Sequence, residues 1–405
     1  MLGYGVFCSA AILLTAELLG RAAVGTYHGL FQTVASIAEN LPSPRGGHRI
    51  FSLRSPLDED VFSASSAYDG RPWAEEFWKE RKESFVDWDY RYEPFRVWGN
   101  SPFHGKYINV DETESGVWRR TVNFCGDGQK RKKKLWVLGE STAFGAETPD
   151  SATLPSYLSQ KINAAGKACV EVSNFGVPSY VLNQKAILLI QLLKAGHRPD
   201  TVVFYDGDND AEVGAYSPGL PGAHAYLMQI KAKFESTVDS QGLLEKSYAF
   251  RAVRGMMRRL RPANLVAVTE EGKAVPMELS DEKLAEKAKA TLDNYEANIR
   301  LIAALGRAYG FKPYFFWEPV LAYGSRNKNP LEEILNTHPL FASRDENRAV
   351  AAVYREAERR ASLKNNFYFL GHIFDPVRDP IYVDTVHVGP RGNEIVAEAM
   401  ARIVR

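Results

Sequence analysis

Four short motifs together contain the side chains that an acyl-transfer reaction needs. In chain order they are Gly139-Glu140-Ser141, Asn174-Phe175-Gly176, Gly207-Asp208-Asn209-Asp210 and Asp384-Thr385-Val386-His387. Ester cleavage through serine requires a hydroxyl nucleophile, a base that takes its proton, a carboxylate that orients the base, and donors for the oxyanion that forms. All of these groups are present in the four motifs.

Ser141 is the predicted nucleophile because it follows an apolar run on a strand-to-helix turn, where the N–H groups of a helix N-terminus face negative charge. His387 is the predicted general base, and Asp384 either orients its ring or polarises it. A turn serine, a loop histidine and a helix-capping aspartate are each common without any chemistry. Their ordered occurrence with the other two motifs favours the catalytic interpretation.

The predicted oxyanion donors are the backbone N–H groups of Ser141 and Gly176 and the side-chain amide of Asn209. Glycine allows a close backbone approach to a substrate oxygen, and asparagine offers two donors without a charge. Asn174 is expected to brace its own loop. Asp210 is expected to tie down the loop that carries Asn209.

The alternating aspartates at 206, 208 and 210 also suggest the start of a calcium-binding loop. Further along, such a loop needs glycine at position six and glutamate at position twelve, where this chain has Ala211 and Ser217. The sequence therefore predicts no metal site and no organic cofactor.

The same motifs resemble those of the SGNH hydrolases, also called GDSL esterases and lipases. The four letters of that name fall on Ser141, Gly176, Asn209 and His387, and Asp384 stands where the family has its third catalytic residue. The resemblance covers roughly residues 134–405. One departure is Glu140, since the family usually has aspartate there. The resemblance implies an α/β esterase fold and the site roles given above.

Apolar runs that alternate with amphipathic stretches predict a parallel sheet. The runs are Leu135–Leu138, Cys169–Ser173, Thr201–Tyr205, Pro313–Trp317 and Asn366–Leu370. The amphipathic stretches are Leu154–Ala164, Leu182–Ala195, Asp281–Tyr309, Arg344–Leu363 and Pro390–Val404. This pattern predicts an α/β, flavodoxin-like doubly wound sheet of about five parallel strands. The first three motifs would then meet at the carboxyl edge of that sheet.

Three segments are predicted along the chain: an apolar N-terminal helix at 1–25, an aromatic-rich accessory lobe at 26–133, and the hydrolase domain at 134–405. We interpret the first as a signal anchor, with a cleaved export signal and a helix docked on the protein as alternatives. Residues 211–280 form an insertion after the third strand. It could act as a lid or be a plain structural excursion.

The aromatic residues at 77–98 show no helical period, and alternation at 107–110 and 117–122 predicts short strands. An aromatic cluster of this kind is usually core, and the alternative is a stacking platform for sugar rings. The five basic residues at 130–134 are expected in a solvated loop, or, as a second hypothesis, near anionic lipid headgroups.

Composition excludes several classes of partner and site. The formal net charge of +1 argues against nucleic acid bound across the whole surface. Cys8, Cys125 and Cys169 are too few for a disulfide framework or a zinc site. A Cys125–Cys169 bridge stays open if the protein is exported, but unlinked thiols are the preferred interpretation.

Together these features predict a serine esterase, tethered to a membrane outside the cytoplasm, that acts on a small-molecule or carbohydrate ester such as a sugar O-acetyl group. Two alternatives remain. The same triad could transfer an acyl group to an exported polysaccharide, or the scaffold could be a non-catalytic binding subunit of an envelope complex.

Overall fold

The computed structural model describes residues 66–68, 70–86, 90–125, 132–164, 169–238, 280–324, 332–333, 344–362 and 366–404. The predicted N-terminal anchor at 1–25 and most of the 211–280 insertion lie outside these residues. Within the described residues, no helix combines the length and the apolar character needed to span a membrane. The chain divides into two compact units, one of residues 49–225 and 279–405, and the other of residues 1–48 and 226–278.

The first described elements of the first unit are a 3-10 turn at Ser66–Tyr68 and helix α1 (Ala74–Val86). Five short strands follow: β1 (Arg91–Glu93), β2 (Val97–Gly99), β3 (Phe103–His104), β4 (Asn109–Thr113) and β5 (Gly116–Arg119). Strands β1 and β2 form an antiparallel hairpin, and β3, β4 and β5 form a three-stranded antiparallel sheet.

The remaining elements alternate between strand and helix. They are β6 (Lys132–Gly139), α2 (Ser141–Phe144), α3 (Leu154–Asn163), β7 (Cys169–Asn174), α4 (Leu182–Lys194), β8 (Thr201–Asp206), α5 (Asp208–Ala211) with a π-helical turn at Glu212–Tyr216, α6 (Leu227–Val238), α7 (Asp281–Tyr309), β9 (Lys312–Trp317), α8 (Arg344–Ala361), β10 (Phe367–Phe369) and α9 (Pro390–Val404). Helix α6 belongs to the second unit.

Strands β6 to β10 form one parallel sheet in the order β10-β9-β8-β6-β7. If these five strands are renumbered 1 to 5 in chain order and the sheet is read from β7, the order is 2-1-3-4-5. This is the flavodoxin-like order. The predicted fold class is therefore confirmed. The order places β7, β6 and β8 side by side, so the loops that follow these three strands are neighbours.

Helices cover both faces of this sheet, because alternate residues of each strand point to opposite sides. On one face, Leu135 and Val137 of β6 share a buried cluster with residues of α3 and α9. On the other, Tyr295 of α7 makes ring contacts with Phe315 and Trp317 of β9. Burial on both faces explains why the strands appear in the sequence as continuous apolar runs.

Several aromatic residues in the segment before β6 belong to the core, as expected. Tyr68, Phe77 and Trp78 are buried in one cluster with Val383, next to a predicted site residue. In contrast, Tyr92 and Phe95 at the β1–β2 hairpin are exposed. The sequence did not predict α1, because in its described part the buried residues Phe77 and Trp78 are adjacent and are flanked by exposed charged side chains, so they form no apolar stripe of helical period.

Two local expectations were wrong. Lys132 to Lys134 are exposed as expected, but they form the first residues of β6 and not a loop. Cys125 and Cys169 form a disulfide with their Cα atoms 5.2 Å apart, within the normal range for such a bond. Asn123 bonds to both backbone groups of Val172, and this aligns the segment before Cys125 with β7.

Candidate active site

The first three motifs along the chain lie together at the carboxyl edge of the parallel sheet. Ser141 is the first residue of α2, directly after β6, and Glu140 is its N-cap residue. The Phe175 and Val177 N–H groups donate to β6 carbonyl groups, which holds the loop after β7 beside the Ser141 turn. Because a helix N-terminus leaves its first N–H groups without intrahelical acceptors, the Ser141 turn presents donors to the site.

The C-terminal motif forms a tight turn that meets Ser141 from the side of α9. The Val383 N–H donates to the His387 carbonyl at 2.8 Å, and the Leu321 N–H donates to the Thr385 carbonyl at 2.9 Å. His387 Nε2 lies 2.7 Å from Ser141 Oγ. Residues 246 positions apart in sequence thus lie within hydrogen-bonding distance of each other.

Asp384 completes a continuous hydrogen-bonded chain. Its Oδ2 lies 2.6 Å from His387 Nδ1, and its Oδ1 accepts hydrogen bonds from the backbone N–H groups of Val386 and His387 at 2.8 and 2.6 Å. These backbone bonds fix the carboxylate. The carboxylate in turn orients the imidazole so that Nε2 faces the serine hydroxyl.

The electrostatics of the pair favour a charged imidazolium beside a carboxylate. Burial lowers the pKa of His387, but the charge and hydrogen bond of Asp384 raise it to a net value of about 9. Burial also raises the pKa of Asp384, and this effect is outweighed by the charge and hydrogen bonds of His387, so that the net pKa lies below its ordinary value. The pair thus stabilises the protonated imidazole that forms when the serine loses its proton.

Glu147 is a further carboxylate at the site that the sequence did not reveal. It contributes to the raised pKa of His387, and its carboxylate is paired with Arg81 of α1. Tyr68 donates to its backbone carbonyl at 2.7 Å. Donor atoms of Glu147, Asp384 and His387 lie within 4.8 Å of one another, close enough to share a metal ion. The arginine on Glu147 and the hydrogen bonds at both ring nitrogens of His387 favour an acid–base site instead.

Asn174 braces its loop, as predicted. Its side-chain amide donates to the Ala143 and Phe144 carbonyls at 2.9 and 3.3 Å, and its Oδ1 accepts the Gly176 N–H at 2.9 Å. A Cβ atom at Gly176 would overlap the Phe144 backbone, which explains the glycine by packing. Because its N–H already has an acceptor, Gly176 would have to exchange this bond for one to an oxyanion.

Ser179, in the same loop, adopts a φ of +64°. Positive φ is uncommon for residues other than glycine and often marks a functional turn. Trp98 makes two contacts with this loop. Its indole N–H donates to the Pro178 carbonyl at 3.1 Å, and its ring packs edge-to-face against Tyr180. The aromatic lobe therefore supports this loop as well as the His387 turn.

Asn209 lies in the first turn of α5, and its backbone N–H donates to Glu140 Oε2 at 3.2 Å. Its side-chain amide forms no hydrogen bond with any residue that the structure describes. Asp210 accepts two bonds from the Leu182 N–H at 3.0 and 3.2 Å, and so joins this loop to the start of α4. Burial raises the pKa of Asp210 to about 7, with Lys185 opposing and Asp206 adding to the rise.

The free amide of Asn209 leads to a specific prediction for the Asn209→Ala variant. If the amide binds an oxyanion, kcat for ester hydrolysis should fall roughly 10²-fold, corresponding to about 3 kcal/mol of transition-state stabilisation. KM should change little, since the interaction forms in the transition state. The backbone bond to Glu140 remains available in this variant. A rise in KM with unchanged kcat would contradict the oxyanion role.

Two more buried charged residues were missed in the sequence, Lys185 and Glu318. Lys185 Nζ lies 2.5 Å from Asp206 Oδ1, and both side chains are fully buried. Glu318 directly follows β9, at the carboxyl edge of the sheet. Its position directly after a predicted strand could have identified Glu318 from the sequence. Lys185 lies within an apolar helix, and no sequence pattern distinguishes it.

Comparisons with known proteins find similarity at the level of solved structures only. No protein-family model matches the chain, and no curated protein matches it. An acetylxylan esterase from Geobacillus stearothermophilus shares 16% identity, with 67% of this chain and 93% of that chain covered and a TM-score of 0.34. LAE5, an alpha/beta hydrolase from the metagenome of Lake Arreo, shares 13% identity over 67% and 94% of the two chains, with a TM-score of 0.33. At these scores, the interpretation of the site rests on its own geometry.

Proposed function

We propose that the protein is a serine esterase that forms an acyl-enzyme on Ser141 and transfers the acyl group to water. The observation that carries this proposal is the hydrogen-bonded chain from Asp384 through His387 to Ser141 Oγ, with both links at 2.6–2.7 Å. Serine, histidine and aspartate in this order of contact form a nucleophile, its base and the group that orients the base.

The reaction proceeds in two steps. Ser141 Oγ attacks the ester carbonyl carbon while its proton moves to His387 Nε2, and the resulting oxyanion is held by the N–H of the Ser141 turn and the Asn209 amide. His387 then gives the proton to the leaving alcohol oxygen as the ester bond breaks. In the second step water attacks the acyl carbon while His387 takes its proton; the bond from that carbon to Ser141 Oγ then breaks, the proton passes to Oγ, and the carboxylic acid leaves.

We further propose an acetylated carbohydrate as the substrate and a location outside the cytoplasm. The Cys125–Cys169 disulfide supports export, because disulfides persist in oxidising compartments. A signal anchor in the first 25 residues would tether the catalytic domain to the membrane. Transfer of the acyl group to a sugar hydroxyl remains the alternative outcome for the same acyl-enzyme.

A fluorophosphonate probe tests the proposed nucleophile. We expect one adduct by intact-mass spectrometry, located on Ser141 by peptide mapping and absent from heat-unfolded protein. Acetate release from acetylated sugars and p-nitrophenyl esters tests the substrate class. Acylated glycan without acetate release would indicate the transferase. Folded protein that neither labels nor releases any acyl group would support a non-catalytic binding subunit.

A further inference from the structure

Two buried carboxyl groups, those of Glu140 and Glu318, lie behind the proposed nucleophile. They are 1% and 0% exposed. Glu140 Oε2 accepts the Asn209 N–H at 3.2 Å. Glu318 Oε2 accepts the Thr142 hydroxyl at 2.6 Å, and its Oε1 accepts the Asp208 N–H at 3.0 Å. Glu140 belongs to the Ser141 turn and contacts the Asn209 turn, whereas Glu318 contacts both turns.

The hydrogen bonds distinguish the two carboxyl groups. Both oxygens of Glu318 accept a hydrogen bond, one from the Thr142 hydroxyl and one from the Asp208 N–H, so Glu318 is suited to be the proton acceptor of the pair. Glu140 Oε1 is buried and accepts no hydrogen bond from any residue that the structure describes. The two carboxyl groups bind the N–H groups of adjacent residues, Asn209 and Asp208, and a hydrogen bond with Glu318 is one cause of the raised pKa of Glu140. If Glu140 Oε1 carries a proton and donates it to Glu318, this oxygen gains a hydrogen-bond partner. The repulsion between two buried anions is then removed.

The surrounding charges also favour one proton on this pair. Burial raises the pKa of Glu140 well above its ordinary value, Glu318 and Asp208 raise it further, and Lys185 opposes them. Lys185 is already paired with Asp206. The titratable groups facing the pair come from five elements and are Lys185 of α4, Tyr205 and Asp206 of β8, Asp208 and Asp210 of α5, Tyr295 of α7 and Tyr354 of α8.

We propose that Glu140 and Glu318 are a positioning pair that shares one proton, with Glu140 as the acid and Glu318 as the carboxylate, and that this pair holds the Ser141 turn against the Asn209 turn. Its effect on catalysis rests on the proposed esterase function. The pair also gives a role to the extra methylene of Glu140, whose longer side chain contacts both the Asn209 N–H and Glu318. Neither residue touches the substrate in this scheme.

Amide substitutions distinguish the two members. In Glu140→Gln the amide oxygen still accepts the Asn209 N–H and the NH₂ group still donates to Glu318, so the variant mimics the acid. We expect it to keep at least about a third of the wild-type kcat. In Glu318→Gln one of the two acceptor oxygens becomes an NH₂ group, so the Asp208 N–H and the Glu140 proton compete for the single remaining oxygen and the Thr142 hydroxyl has to turn and accept. The turns then shift, and kcat should fall about 10²-fold with little change in KM.

The infrared spectrum provides a readout that does not depend on activity. The infrared spectrum of wild-type protein minus that of Glu140→Gln should contain the carbonyl band of one buried protonated carboxyl group, while the bands of other protonated carboxyl groups, such as Asp210, cancel. Glu398→Gln, on the exposed surface of α9, is the matched control and should keep both the band and the activity. The thermal unfolding midpoint should fall further in Glu318→Gln than in Glu140→Gln, because only the former removes an acceptor oxygen for which buried donors then compete.

Equal losses of kcat in the two amide variants, or a difference spectrum that contains no protonated-carboxyl band, would overturn the assignment. If the wild-type protein shows no esterase activity, the proposed function fails, but the infrared band and the unfolding midpoints still decide whether the proton is shared. If the two amide variants differ as expected in these two measurements but the protein shows no activity, the shared proton is supported and the catalytic role of the pair is rejected.

Discussion

Replacing Ser141 with alanine should reduce ester hydrolysis by about 10⁴- to 10⁶-fold in kcat. The variant removes the only atom of the hydrogen-bonded chain that can form a covalent acyl intermediate, while Asp384, His387 and the Asn209 amide remain. Residual turnover would come from water attacking a substrate held by the oxyanion donors. Steady-state rates on p-nitrophenyl acetate and the fluorophosphonate adduct should disappear together.

Ser362→Ala is the matched control for this loss. Ser362 is exposed near the end of α8, where its hydroxyl bonds only to the Arg359 carbonyl in the described residues, so its removal should leave rate and labelling intact. Ser141 is itself only partly buried, and its substitution should change the unfolding midpoint little. Hydrolysis that continues in folded Ser141→Ala at more than a hundredth of the wild-type rate would refute the acyl-enzyme mechanism.

The Asp384→Asn variant should lower kcat by about 10⁴-fold and shift the pH profile at the same time. The rate falls because the amide cannot stabilise the imidazolium and can hold the wrong tautomer of His387. The general base must be neutral, so kcat/KM of the wild-type protein should rise with pH through the His387 pKa of about 9. Without the Asp384 charge, that pKa should fall towards the ordinary value for histidine.

The direction of this shift is the sharper test. In Asp384→Asn the rising limb of kcat/KM should move to lower pH, although the rate on its plateau is much lower. Asp293→Asn, on the exposed surface of α7, is the control for loss of one carboxylate and should move neither. A wild-type limb that already lies near pH 6.5, or one that Asp384→Asn leaves in place, would contradict the electrostatic role of Asp384.

The accessory lobe gives the site a support that extends beyond the parallel sheet. Tyr68, Phe77 and Trp78 pack against Val383 beside the Asp384 turn, and Trp98 holds the loop that follows β7. Arg81 from the same lobe neutralises Glu147, and this limits the rise in the pKa of His387. The lobe therefore acts on two of the four motif loops through packing and on the base through charge.

The sequence by itself determined the elements and the order of the motifs. Helices α7 and α9 begin and end where their apolar periodicity and their flanking glycine and proline predict, and the five parallel strands fall on the five apolar runs. Such patterns are local, because each depends on which faces of one helix or strand are buried. The βαβ alternation then sufficed to place three motif loops at one edge.

Only the tertiary structure decided which distant groups share a proton, a charge or a bond. The Glu140–Glu318 pair, the Arg81–Glu147 pair and the Cys125–Cys169 bridge join residues that no local pattern relates. Gly176 was predicted as an oxyanion donor, a role that stays a prediction, but its N–H has an acceptor in Asn174 and its lack of a side chain is explained by the Phe144 backbone. Periodicity specifies the burial of a residue, whereas hydrogen-bond partners depend on distances that exist only after the chain has packed.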